Sequence, residues 1–232
     1  MDASLSRREF LKAAGLGSGV LVALHLPGFS ALAADASEAA ATAFKPNAFV
    51  QIDASGQVTL YVSQAEMGQG VRTSLPMLLA EELDVDLDAV KVVGVGADPA
   101  FNHPWFRSQV AGGSTSVRGL FEPMRRAGAQ ARHMLVEAAA NRLEVPVESL
   151  RTEAGFVIHE ASGRRLGYGE LASAASALDV PDPASLTLKS PENFRYIGRG
   201  RRRQEGPDKV TGRAQFGIDV RLPDMLTAVV AR

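Results

Sequence analysis

The sequence predicts an α+β fold, with helices and sheet in α/β layers, on three observations. Two short runs rich in β-branched and aromatic residues flank a glycine-containing turn at 54–56, and another pair flanks 161–163. Between the pairs, apolar residues recur at three- and four-residue spacing along two stretches, 75–83 and 117–143. Alternating hairpins and helices favour a layered domain over a bundle or a barrel. With 232 residues, 46% of them hydrophobic, the chain is long enough to bury a core in one or two domains.

At the N-terminus, Arg7-Arg8-Glu9-Phe10-Leu11-Lys12 precedes a mildly apolar stretch and the small-residue run Ala31-Leu32-Ala33. This pattern reads as a signal peptide over 1–33, with an amphipathic helix of the fold as the other reading. The paired arginines resemble a twin-arginine signal, which predicts export of an already folded protein to the periplasm. Residues 34–43, rich in Ala and Ser, read as a flexible leader.

Phe49-Val50-Gln51-Ile52-Asp53 and Val58-Thr59-Leu60-Tyr61-Val62 form the first expected hairpin. The chain then reaches Glu66-Met67-Gly68-Gln69-Gly70 and a helix carrying Leu75, Leu78, Leu79 and Leu83, with Glu81 and Glu82 expected on its solvated face. Pro76 either sits in the first turn of a helix starting near Thr73 or kinks a helix that starts earlier. Val90-Lys91-Val92-Val93-Gly94-Val95 reads as a buried strand and 96–108 as an irregular loop. Gly112-Gly113-Ser114-Thr115-Ser116 opens the long second helix, which Pro123 is expected to kink and Pro146 to follow. Most arginines of that helix are expected on its outer side. The second hairpin (Phe156-Val157-Ile158-His159 with Arg164-Arg165-Leu166), a helix over 168–178 and a proline-punctuated linker over 180–191 complete the pattern.

Composition narrows the function. Net charge is -1, with Lys+Arg 25 against Asp+Glu 26, so a basic field for nucleic acid is lacking and no nucleic-acid partner is expected. There are no cysteines, which excludes disulfides, thiol catalysis and an iron–sulfur cluster held by this chain. His25, His103, His133 and His159 show no ligand spacing, so no protein-ligated metal is expected.

The two glycine segments carry the chemistry. Each places backbone N–H groups without bulky neighbours at a helix start, an arrangement that favours an anionic group. Gln69 between Gly68 and Gly70 adds a side-chain donor and acceptor. The plain alternatives are a strand-to-helix turn for the first and a helix cap at Ser114 or Thr115 for the second. The run Arg199-Gly200-Arg201-Arg202-Arg203 reads as a solvated linker or partner-docking strip, with a nucleic-acid or anionic-lipid patch as the other reading. His103 and Trp105 either pack their loop or face a substrate.

Glu66 to Leu83, with the 112–119 segment Gly-Gly-Ser-Thr-Ser-Val-Arg-Gly and the runs Asp208-Lys209-Val210-Thr211-Gly212 and 217–223, resembles the molybdopterin-binding large subunits of the xanthine dehydrogenase and aldehyde oxidase family. The isoquinoline 1-oxidoreductase β-subunit type is the most similar variant. The resemblance implies a molybdopterin-binding domain portion over 44–190, followed over 191–232 by a linker and the start of a truncated hammerhead-like domain with a strand in 225–231. It implies a molybdenum–molybdopterin cofactor, in a dinucleotide form, contacted by Met67, Gly68, Gln69, Gly70, Thr73, Gly112, Gly113, Ser114, Thr115 and Ser116. The implied activity is hydroxylation of N-heteroaromatic compounds or oxidation of aldehydes with water-derived oxygen. [2Fe-2S] clusters would sit on a separate small subunit, with a cytochrome-type protein as electron acceptor. Family large subunits run to about three times this length, and their catalytic glutamate lies downstream, so no catalytic residue and no turnover are expected of this chain alone. The alternative is a non-catalytic product or an exported module for a phosphorylated ligand.

Overall fold

The structure, a computed structural model, describes residues 44–231. The expected signal peptide and the expected leader lie outside these residues. Strand β1 (Phe44–Asn47) pairs antiparallel with β2 (Val50–Ile52), which pairs antiparallel with β3 (Val58–Val62). The turn between β2 and β3 is held by Asp53, whose Oδ1 accepts the N–H groups of Ser55 (2.9 Å) and Gln57 (3.1 Å). Helix α1 (Val71–Leu83) carries the chain from β3 to β4 (Lys91–Gly94), which joins β3 in parallel. The strand order of this sheet is β1-β2-β3-β4.

Helix α2 (Thr115–Leu143) lies against α1. The two backbones approach closely at Gly128, where a Cβ would stand 2.4 Å from the Leu79 carbonyl oxygen. A side chain there would force the helices apart. A second sheet, β5 (Leu150–Glu153), β6 (Phe156–His159) and β7 (Arg164–Gly167), is an antiparallel meander followed by α3 (Tyr168–Ser176). Tyr168 joins this unit to α1 by donating its hydroxyl to the Leu83 carbonyl (2.8 Å). Ile52, Leu60, Leu75, Leu79, Leu120, Met134 and Leu171 belong to one buried cluster spanning both layers.

Several expectations change. Helix α1 begins at Val71, before Thr73, and Pro76 lies inside it; its position removes only one N–H donor near the helix start. β4 is an edge strand with partly exposed Val92 and Val93, because it has a partner only on its β3 side. β1 and β5 were not foreseen.

The largest correction concerns Glu81 and Glu82, which are buried at 1% and 0% exposure. Residues 186–205 run back across α1 and cover the face that periodicity assigns to solvent. Glu81 accepts the N–H groups of Arg195 (2.9 Å), Tyr196 (2.7 Å) and Ile197 (3.1 Å). Glu82 accepts from Lys189 N (3.2 Å) and pairs with Arg125 Nη2 (2.7 Å). Arg132 also faces inward, 3.8 Å from Glu82 and 3.7 Å from Asp84, so two arginines expected outside belong to this buried network.

The 180–205 stretch is therefore docked chain. Gln130 donates to the Pro181 carbonyl (2.8 Å), and Arg201 pairs with Asp88. Residues 225–231 form no strand, and Leu226, Val229 and Val230 are exposed; the expected strand has no neighbour to pair with among the described residues.

Candidate functional site

β3 buries Val58, Leu60 and Val62, and the two polar residues after it, Ser63 and Gln64, stay buried at 7% and 4% exposure. They stand where the parallel strands β3 and β4 reach their carboxyl ends, the position at which layered α/β sheets hold ligands. The chain then turns through the first glycine segment. Gly70 has φ 84 and caps α1 in the left-handed region, which glycine adopts without steric cost.

That turn gathers backbone donors onto one carboxylate. Glu66 Oε1 accepts the N–H groups of Gly68 (2.8 Å) and Gly70 (3.0 Å), and Oε2 accepts that of Arg72 (3.1 Å). Burial, the largest single influence, pushes the Glu66 pKa up, but the Gly70, Arg72 and Gly68 bonds together outweigh it and hold the carboxyl below its usual range. The expectation that this helix mouth offers these N–H groups to an anionic ligand is thereby corrected: Glu66 fills it. Gln69 also closes on its own loop, accepting from Met67 N (2.6 Å) and donating to the Ala65 carbonyl (2.8 Å). Met67 is exposed, and Arg203 donates to the Gly68 carbonyl. Thr73 is buried one turn further on, where its Oγ1 accepts Gln204 N–H (3.0 Å); it holds the returning chain.

In the second segment Gly113 and Ser114 have φ 58 and 55. Neither expected side-chain cap forms. Ser114 makes no capping bond, and Thr115 Oγ1 turns back to donate to the Gly112 carbonyl (2.7 Å). Gly112, Gly113 and Ser114 are exposed. Ser116 is the exception, donating its hydroxyl to Gln64 Oε1 (2.9 Å) and so joining the two segments.

Beside the segments lies a cavity of about 250 Å³ lined by Ser63, Gln64, Glu66, Arg72, Gln109 and Ala111 among others; of the predicted contact residues, none of 67–70, Thr73 and 112–116 lines it. It is below the roughly 300–1,000 Å³ of a complete small-molecule site, so it can receive one end of a larger ligand. Larger openings exist, including a groove of about 700 Å³ between Arg72, Asp88 and the 200–208 stretch. Two residues lining the smaller cavity carry side-chain atoms, Ser63 Oγ and Gln64 Nε2, that are buried without a hydrogen-bond partner among the described residues; the larger groove has one such atom, Glu205 Oε2. Buried polar atoms are almost always paired in a folded chain, and exceptions mark places where a further partner is to be sought.

The sequence reasoning missed Ser63 and Gln64. Continuing the two-residue period of Val58, Leu60 and Val62 places Gln64 on the inward face, which is the signal that could have found it. His103 has the packing role: it is fully buried, accepts Trp105 N–H at Nδ1 (3.2 Å) and lies with Nε2 3.3 Å from the Thr115 carbonyl. Trp105 is exposed beneath the Arg118 guanidinium, 5.3 Å from its ring centroid. Among the described residues, no group of three or more His, Cys, Asp or Glu side chains could hold a metal ion, and no helix is long and apolar enough to cross a membrane.

The family model described as molybdopterin cofactor-binding domain matches residues 3–219. The chain is 36% identical over 265 aligned positions to the β-subunit of the isoquinoline 1-oxidoreductase of Brevundimonas diminuta, covering 97% of this chain and 33% of that protein. It is 35% identical over 185 positions to one of the nicotinate dehydrogenase subunits of Pseudomonas putida, covering 79% of this chain and 15% of that one. A membrane-bound aldehyde dehydrogenase [pyrroloquinoline-quinone] of Gluconacetobacter polyoxogenes is 31% identical over 97% of this chain and 29% of its own length. The chain thus spans about a third or less of the length of these relatives.

Proposed function

The chain belongs to the molybdopterin cofactor-binding domain family, and from that premise we propose that it supplies part of the cofactor site of an oxidoreductase of the molybdenum hydroxylase type. The observation that carries this reading is the Ser116–Gln64 bond, which joins the two separated segments beside a cavity lined by 62–66, Arg72 and 109–111 among others. The unpartnered Ser63 Oγ and Gln64 Nε2 fit a polar ligand entering there. Bound, the molybdenum–molybdopterin group supplies two-electron oxidation and transfer of water-derived oxygen.

The chain's own contribution is binding and orientation. Gln69, held by Met67 and Ala65, would present its loop toward the cofactor with Gly68 and Gly70. Gly112, Gly113 and Ser114 leave exposed backbone at the start of α2, and Thr115 and Ser116 fix that turn. The substrate class we infer is an N-heteroaromatic compound or an aldehyde, supported by the names of the three relatives. A dinucleotide form of the cofactor, a separate iron–sulfur protein and a cytochrome-type acceptor complete the reading. The zero cysteine count supports placing the clusters on another chain. No turnover is expected from these residues alone.

A phosphorylated-ligand module is the weaker alternative, because Glu66 already occupies the N–H groups that a phosphate would need at the first segment. The paired Arg7 and Arg8 support export to the periplasm by the twin-arginine route, and the appearance of a mature N-terminus near residue 34 in a periplasmic fraction is the check. The main experiment is to express the whole reading frame in a molybdenum-replete bacterium and measure bound molybdenum and pterin. Stoichiometric amounts of both are expected; a folded product with neither overturns the reading.

A further inference from the structure

Gln64 is 4% exposed, yet only one end of its amide is used inside the fold: Oε1, as oriented, accepts from Ser116. Nε2 has no partner among the described residues, and the same holds for Oγ of the adjacent Ser63. Leaving a buried donor unpaired costs about 1–3 kcal/mol, whereas an apolar side chain of similar shape there costs little. The Ser116 bond accounts for one end of the Gln64 amide, but packing gives no reason for the unpartnered donors Gln64 Nε2 and Ser63 Oγ. The neighbourhood is rich in donors, since the Arg72 side chain also lines the cavity. The Gln109 and Glu66 side-chain acceptors in the lining are already engaged: Gln109 Oε1 takes Asp98 N–H (2.8 Å), and both Glu66 oxygens take backbone N–H groups.

We infer that Gln64 and Ser63 are ligand-binding residues that donate hydrogen bonds to an acceptor edge, a carbonyl oxygen or ring nitrogen, of a heterocycle entering the cavity that 62–66, Arg72 and 109–111 line beside the two glycine segments. The inference rests on the cofactor reading above, and the heterocycle is then the pterin part of the cofactor. Glu66 and Arg72 line the same cavity with opposite charges, so the donors of Gln64 and Ser63 rather than a net charge select the acceptor edge. Gln64 has a double task on this account, bracing the second segment with one end of its amide and meeting the ligand with the other.

The test uses the whole reading frame in a molybdenum-replete host, with Gln64→Met, Ser63→Ala and Ser116→Ala beside wild type. Two quantities are read: pterin released per protein, and the thermal midpoint of the cofactor-free form. Gln64→Met is expected to retain pterin at least about ten-fold less than wild type, the effect of one lost buried hydrogen bond of about 1.4 kcal/mol or more. Its cofactor-free midpoint should fall no further than that of Ser116→Ala, which loses the same brace, since the unpaired donor is removed as well. Ser116→Ala breaks only the brace and should lose less pterin than Gln64→Met. Ser63→Ala, a smaller change, should lower pterin retention in the same direction with no fall in midpoint. A wild type devoid of pterin overturns the cofactor reading and this inference with it. A loaded wild type with equally loaded Gln64→Met and Ser63→Ala overturns this inference alone, as does a pterin loss that merely follows a lowered midpoint.

Discussion

Glu82 Oε1 lies 2.7 Å from Arg125 Nη2, with side-chain exposures of 0% and 11%. This ion pair links α1 to α2, and Arg125 also donates to the Lys189 carbonyl on the returning chain. Three segments distant in sequence thus meet at two side chains. The pair is not by itself a source of large net stability, since desolvating two charges offsets most of their attraction. Its consequence is asymmetric: either partner without the other becomes a liability.

Arg125→Met should therefore destabilise the chain by about 3 kcal/mol, the lower end of the range for an orphaned buried charge, because Arg132 remains 3.8 Å from Glu82. The double substitution Glu82→Met with Arg125→Met should recover much of that loss. Urea denaturation of the two variants and wild type checks both expectations, and equal stability of the single and double variants would count against the pair.

Glu81 ties down the returning chain through three successive backbone N–H groups, those of Arg195, Tyr196 and Ile197. Glu81→Gln keeps the shape but leaves one acceptor oxygen and introduces a buried donor. A stability loss of about 2 kcal/mol is expected. Hydrogen exchange should rise first at residues 195–197, while β3 amides stay protected.

How much of this was legible follows from the range of each interaction. The hairpins around 54–56 and 161–163 were readable because alternation and turn residues are local signals. Glu81 and Glu82 were misread because periodicity describes one helix and knows nothing of a segment that returns to it from more than a hundred residues away. The two glycine segments stood out in sequence and are joined by the Ser116–Gln64 bond, but the cavity beside them is lined by 62–66, Arg72 and 109–111 rather than by their glycines. That Glu66 would occupy the first was hidden, because a carboxylate two residues before a glycine looks the same whether it folds back or points outward. Ser63 and Gln64 lack any motif of their own and gain meaning only from burial without partners.

Gly128→Ala tests the close approach of α1 and α2. Alanine is favoured over glycine inside a helix by about 1 kcal/mol. Against this, its Cβ would stand 2.4 Å from the Leu79 carbonyl oxygen, a backbone atom that cannot rotate away. Overpacking of this kind costs about 1–3 kcal/mol and should prevail. A net loss is expected by thermal denaturation; a raised midpoint would show that the helices separate easily.

The first glycine segment should loosen in acid, and the sign follows from Glu66. Its pKa in the folded chain lies below the ordinary value of 4.5, so the ionised carboxylate stabilises the loop above that value. Stability is lost as pH falls through the lowered folded pKa, when protonation removes the charge that Gly68, Gly70 and Arg72 N–H groups bind. Asp53 is likewise lowered, chiefly by the Ser55 hydroxyl, so global stability would mix two titrations. Residue-resolved hydrogen exchange, corrected for intrinsic rates, separates them. Protection at Gly68, Gly70 and Arg72 should fall below about pH 4.5 in wild type. In Glu66→Gln it should already be weaker at neutral pH and change little over the same range. Equal protection in both proteins at neutral pH would show that the loop holds its shape without the carboxylate.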